Sequence, residues 1–149
     1  MAFAQGKTST PYNVYLYSTG WNVDDTYWRL SCPAAEDISG KVAVTFSLNS
    51  SAKEVQQVWN IFWSNDGESW TPTEYTWNKV NNTDVLATEA KNTFKAQSTT
   101  SNGITRTEFT VPSGKKISAG KNLYIKIVPT TTLTSAATKV QLERQSHQT

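Results

Sequence analysis

Adjacent carboxylates occur twice in the chain, at Asp24-Asp25 and at Glu36-Asp37. A glycosidase needs two carboxyls facing one bond at a set separation. Neighbours in a strand point to opposite faces, so neither pair presents that geometry, and both read as solvated loop groups. Asp24, Asp25 and Asp66 are the carboxylates on which a structural calcium ion could draw, because hard cations take carboxylate and backbone oxygens in loops. No other cofactor is expected. The one histidine, His147, lies in the C-terminal tail, and Cys32 is the one cysteine. This excludes Ser/His and Cys/His triads. It also excludes a disulfide framework within the chain and a zinc site of several thiolates. No phosphate loop, zinc motif or dinucleotide fingerprint occurs. The expectation is a protein without catalysis.

The chemistry the chain offers in quantity is aromatic. Six Trp, six Tyr and five Phe fall within 149 residues. A sugar ring has an apolar CH face and a rim of hydroxyls. Aromatic planes stack on the first, and Asn, Gln, Arg and carboxylates bond the second. The candidates are aromatics that a core would not claim. Trp21 follows Gly20 at a turn, and Tyr75 and Trp77 follow Pro72. Arg29 and Asn60 alternate with apolar neighbours and are the candidate hydrogen-bonding groups. The expected partner is therefore a polysaccharide or glycan, with stacking by Trp21, Tyr75 or Trp77. The alternative is a structural or adhesive domain of a larger multidomain surface protein, in which the same rings form a protein interface. The fourteen Lys and Arg are scattered and the net charge is +2, which does not make a nucleic-acid stripe. No run of 18 apolar residues occurs, so no membrane-inserted helix is expected.

The elements that must position these residues are strands. Period-2 alternation runs through Tyr12–Leu16, Trp28–Cys32, Val42–Leu48, residues 55–63, Leu123–Ile127 and Thr138–Leu142. No helical-period segment exceeds two turns. Residues 70–78 read as the return arm of a hairpin around Asn65-Asp66-Gly67, and Asn102-Gly103 as a hairpin turn between 93–98 and 104–111. Residues 79–93 read as a long loop. The architecture predicted is all-β, an antiparallel two-sheet β-sandwich of jelly-roll type. Residues 1–10 read as an N-terminal extension, 11–145 as a single β-sandwich domain and 146–149 as a tail. Trp63 is in phase with Trp59 and Ile61, so these three share the core face. Trp70 is expected to meet Trp63 across the hairpin and close the end of the core.

The stretch FWSNDGESW, residues 62–70, resembles the Ser-x-Asp-Gly-x-x-Trp hairpin of secreted Bacteroidetes-type β-sandwich domains and of discoidin-like and carbohydrate-binding modules. DDTYWRLSCPAAEDISGKVAVTFSLNSS (24–51) and ITRTEFTVPSGKKISAGKNLYIKIVP (104–129) resemble the flanking strands of the same domains. In that family the motif's aromatics belong to the scaffold, so the resemblance implies a scaffold role for Trp63 and Trp70. It also implies attachment to carbohydrate-active enzymes, glycan-binding surface proteins or adhesins. Ala2-Phe3-Ala4 before Gln5 has the small-x-small form of a signal peptidase site. A secreted or cell-surface location is expected.

Overall fold

The computed structural model describes residues 2–7, 14–19, 27–80, 83–84, 91–98, 103–131, 133 and 140–144. Within them twelve strands follow in chain order: β1 (Ala2–Lys7), β2 (Val14–Thr19), β3 (Trp28–Pro33), β4 (Gly40–Asn49), β5 (Val58–Ser64), β6 (Thr71–Pro72), β7 (Tyr75–Val80), β8 (Thr83–Asp84), β9 (Thr93–Lys95), β10 (Gly103–Val111), β11 (Asn122–Pro129) and β12 (Val140–Arg144). One 3-10 turn, Ser113–Lys115, precedes β11. A seven-stranded sheet runs β1-β2-β12-β4-β10-β7-β8, and a five-stranded sheet runs β3-β11-β5-β6 with β9 also on β5. Every pairing of named strands is antiparallel. Ala2–Lys7, within the expected N-terminal extension, pairs with β2 along its whole length.

The two sheets form a β-sandwich because each offers one apolar row to the other. The five-stranded sheet contributes Trp59, Ile61 and Trp63 from β5, and Leu123, Ile125 and Ile127 from β11. The seven-stranded sheet answers with Phe46 and Leu48 from β4, and Phe109 and Val111 from β10. Two aromatic pairs join the layers. Trp63 stacks on Phe109 with centroids 5.2 Å apart, and Phe94 of β9 meets Phe46 edge-on at 5.3 Å. The Trp59 indole N–H donates to the Val55 carbonyl at 2.9 Å, so the buried ring keeps its polar atom satisfied. Cys32 is half-buried against this core. Burial pushes its thiol above the ordinary range, which leaves it a small apolar filler and a poor nucleophile.

Part of the interior is polar. Thr76, Asn78, Thr105 and Thr107 are at most 3% exposed. They sit where β7 and β10 pair, Thr105 opposite Asn78 and Thr107 opposite Thr76. Thr76 donates to the Lys91 carbonyl at 2.8 Å, so the 2.8 Å contact between its hydroxyl and Thr107 Oγ1 has Thr107 as donor. Asn78 Nδ2 donates to Thr105 Oγ1 at 2.6 Å, while its Oδ1 accepts from the Lys95 backbone N–H at 2.9 Å. The second bond crosses from the seven-stranded sheet to β9 and satisfies a backbone group that no strand pairs.

Two expected hairpins are differently connected. Only Thr71 and Pro72 pair back onto β5; β7 pairs with β10 in the other sheet. The change happens within one residue: Thr73 N–H donates to the Ile61 carbonyl and Glu74 N–H to that of Glu108. The strands either side of Asn102-Gly103 also belong to different sheets, β9 pairing with β5 and β10 with β4 and β7. Phe94 packs on Phe46 from across the core, which a hairpin partner lying in β10's own sheet could not do. Trp70 is likewise outside the core. Trp63 pairs with Thr71 and Phe62 with Pro72, so Trp70 falls on the face of Phe62, opposite to that of Trp63.

Phe109→Ala removes the ring that Trp63 stacks on and leaves a cavity between the layers. We expect a loss of about 3–5 kcal/mol, read as a lowered urea midpoint with little change in slope.

Candidate functional site

The outer face of the five-stranded sheet is built by register. Arg29 of β3 lies directly opposite Lys126 of β11, Lys126 opposite Phe62 of β5, and Phe62 opposite Pro72 of β6. Directly opposite residues in antiparallel strands share a face, so this row crosses all four strands. In the next row Val128 lies opposite Asn60, and Asn60 opposite Thr93. Tyr124 of β11 and Tyr27, just before β3, sit two positions from Lys126 and Arg29 and so on the same face.

The triplets Tyr27-Trp28-Arg29 and Tyr124-Ile125-Lys126 repeat one pattern of tyrosine, core residue and cation. Antiparallel pairing places each cation diagonally beside the other strand's tyrosine. Arg29 Cζ lies 4.5 Å from the centroid of the Tyr124 ring. Lys126 Nζ lies 4.7 Å from Tyr27, 5.5 Å from Trp70 and 5.7 Å from Phe62. The lysine ammonium is thus surrounded by three rings. Each such contact contributes roughly 0.5–1 kcal/mol where exposed and about 2 where desolvated. They offset the repulsion of two cations held directly opposite, a destabilising arrangement in a sheet. Among the described residues the ion pairs are Arg106 with Glu108 and Lys116 with Asp37. Arg29 and Lys126 belong to neither.

The turn after β5 borders this face. Ser64 is buried at 1% exposure. Its hydroxyl accepts from the Asp66 and Gly67 backbone N–H groups at 3.1 and 2.8 Å and donates to Asp66 Oδ1 at 2.8 Å. Asp66 Oδ1 in turn accepts from the Ser69 and Glu68 N–H groups at 2.9 and 2.8 Å. Those two backbone donors, with the Ser64 hydroxyl, hold the Asp66 carboxyl at about 2 against an ordinary 3.8. Gly67 adopts φ +78°. A Cβ there would lie 2.5 Å from an Arg29 terminal nitrogen and 3.5 Å from the Tyr124 ring. The glycine therefore serves both the left-handed backbone and the seating of Arg29 on Tyr124.

The candidates read from the sequence divide between faces. Arg29 and Asn60 belong to the face just described. Tyr75 and Trp77 are on β7, in the other sheet, where they lie opposite Glu108 and Arg106. Tyr75 is 44% exposed. Lys79 Nζ is 5.3 Å from the Trp77 ring, and Arg106 and Glu108 compensate each other at 3.3 Å. Trp21, Asp24 and Asp25 lie outside the described residues. Asp66, the remaining candidate calcium ligand, commits Oδ1 to its own turn. Among the described residues no three His, Cys, Asp or Glu side chains gather into a metal site, and no helix is long and apolar enough to cross a membrane.

Sequence reading missed Trp70, Tyr124 and Lys126 as site residues. The signal that could have found four members of the cluster is the repeated Tyr-x-cation triplet, which brings Tyr27, Arg29, Tyr124 and Lys126 together once β3 and β11 are paired. Comparison of the chain with family models, with curated proteins and with solved structures gives no match.

Gly67→Ala forces an L side chain into a left-handed backbone, at about 1–2 kcal/mol, and pushes Arg29 off Tyr124. Its expected signature is a lowered melting temperature together with a shifted Tyr124 ring resonance. Asp66 gives a pH test. A carboxyl whose pKa is depressed on folding contributes stability that is present above its unfolded value and lost as pH falls through the folded one. The melting temperature should therefore drop between about pH 4 and pH 2. Asp37, held low by the Ala119 N–H and Lys116, acts in the same direction. Asp66→Asn should flatten the drop in part; a variant with the full wild-type drop would remove Asp66 from the account.

Proposed function

We propose that the chain is a non-catalytic carbohydrate-binding module that receives its glycan on the outer face of the five-stranded sheet. One observation carries this reading: Tyr27, Phe62, Trp70 and Tyr124 share that face with Arg29, Lys126 and Asn60. Broad, rigid rings suit the CH faces of sugars. The Asn60 amide, the tyrosine hydroxyls and the Arg29 guanidinium suit the hydroxyl rim, since together they donate and accept. Antiparallel register holds the set in place, so little ordering is left for the ligand to impose. A sheet face is shallow and leaves much of a bound chain in water, so affinity is weak. The resemblance to secreted Bacteroidetes-type β-sandwich modules points the same way by analogy, and a secreted or cell-surface setting is where polysaccharides are met. The reading involves no bond-making step and no cofactor.

A second reading, a structural or adhesive domain of a larger surface protein, draws on the other sheet. Tyr75 stands 44% exposed beside Trp77 there, on a face whose arginine is already ion-paired. Aromatic residues of that kind are enriched in protein interfaces.

Affinity gel electrophoresis over plant, algal and host polysaccharides tests the first reading. One polysaccharide should retard the wild type and Trp77→Ala alike, while Trp70→Ala and Tyr27→Ala migrate freely, each variant checked for folding by circular dichroism. Retardation lost in Trp77→Ala and kept in Trp70→Ala would move the site to the other sheet. No retardation by any glycan would leave the adhesive reading.

A further inference from the structure

We infer that the glycan is anionic, with a carboxylate or sulfate seated between Arg29 and Lys126. This rests on the glycan-binding reading and specifies its ligand. The two cations are directly opposite one another on paired strands, where like charges repel. A sheet surface commonly resolves such a pair by placing an acid beside it. Here the ion pairs among the described residues lie elsewhere, Arg106 with Glu108 and Lys116 with Asp37. What stands beside the two cations is a set of rings: Tyr124 under Arg29, and Tyr27, Trp70 and Phe62 about Lys126. Rings compensate the charge of a cation without neutralising it, so the pair keeps a positive potential aimed outward. They also draw the two side chains along opposite diagonals, which opens the row between them.

An anionic group seated in that row would be shared by both cations. The bidentate donors of Arg29 fit a carboxylate or a sulfate equally, and the ammonium of Lys126 acts as a point charge beside it. The flanking rings then meet the sugar CH faces on either side of that group. A nucleic acid fits less well, because its backbone presents a phosphate at every nucleotide and is tracked by a matching run of cations. Among the described residues this face carries two cations side by side in one row and Lys95, opposite Val58, two rows away, which is no continuous run.

Calorimetric titration with matched oligosaccharides separates the outcomes. One arm compares oligogalacturonate with its methyl ester, which keeps the backbone and removes the charge. The other compares sulfated with unsulfated dextran oligomers. At least one charged member should bind at least tenfold more tightly than its neutral partner, and the difference should shrink in high salt. Arg29→Gln and Lys126→Gln should each lose that tenfold preference, whereas Lys41→Gln, on β4 of the other sheet, should keep it. Equal binding of charged and neutral members would overturn the anionic inference and leave the glycan reading intact. Binding to no glycan would end both. Single-stranded RNA bound more tightly than any oligosaccharide would also overturn the inference. The comparison of charged with neutral ligand uses the wild type alone, so it stands even where a variant fails to fold.

Discussion

The chain leaves one sheet and joins the other between two consecutive residues, and much of the architecture depends on that step. Thr73 still donates to β5; Glu74 already donates to β10. The free edge of β5 requires this. Val58–Asn60 pair with β9, Phe62 and Trp63 pair with β6, and Ile61 between them donates to the Asn92 carbonyl and accepts from Thr73. Two short strands share one edge because neither continues along it, and unpaired backbone groups beside a buried strand would be costly. Pro72, with no N–H to donate, suits this edge position, where its nitrogen faces away from β5 while Thr73 still donates to Ile61. Glu74 then anchors the new position, its carboxylate accepting from the Thr110 N–H at 2.8 Å. As a result Trp70 and Tyr75, five residues apart, serve opposite sheets.

The polar seam of Thr76, Asn78, Thr105 and Thr107 follows from the same crossing. Once β7 lies in the seven-stranded sheet, its inner face meets the short strand β9, which pairs on only one side. The Lys95 N–H needs an acceptor, and the Asn78 side chain supplies it. The Thr76 and Thr107 hydroxyls then form a short chain, Thr107 donating to Thr76 and Thr76 to the Lys91 carbonyl. An apolar residue at position 78 would leave a donor without a partner, a larger loss than the modest net gain of an ordinary hydrogen bond. The interior is polar here because backbone must be satisfied.

Alternation made the strands legible in the sequence. The core phase of Trp59, Ile61 and Trp63, the inner rows of β4 and β11, and the all-β sandwich follow from period 2 and from turn residues. Strand neighbours do not follow from it. The pattern of residues 70–78 is the same whether the arm returns to β5 or crosses to β10, since alternation specifies faces and is silent on sheets. Asn102-Gly103 has good hairpin chemistry, yet the placement of Phe94 against Phe46 is a long-range packing demand that no local signal carries. Trp70 was misread for a related reason. Its side of the hairpin depends on which residue pairs with Trp63, and a shift of one residue reverses every side chain in the arm.

The candidate site shows how little local preference decides function in a sheet. Tyr27 and Arg29, or Tyr124 and Lys126, are each an ordinary outward pair on one strand. They become a cluster only because β3 and β11 are neighbours with Arg29 opposite Lys126. Were the register displaced by two residues, every side chain would keep its face, yet the core pairs beneath would be broken and the cations would no longer meet. The choice of this register is made by Trp28, Leu30 and Cys32 against Ile127, Ile125 and Leu123 on the inner side, which pair one to one. The core therefore sets the spacing of the outer face, and Gly67 clears the room that Arg29 occupies. A surface organised by core packing can tolerate two opposed cations, because the apolar pairs beneath stabilise the strands by more than the repulsion above them costs.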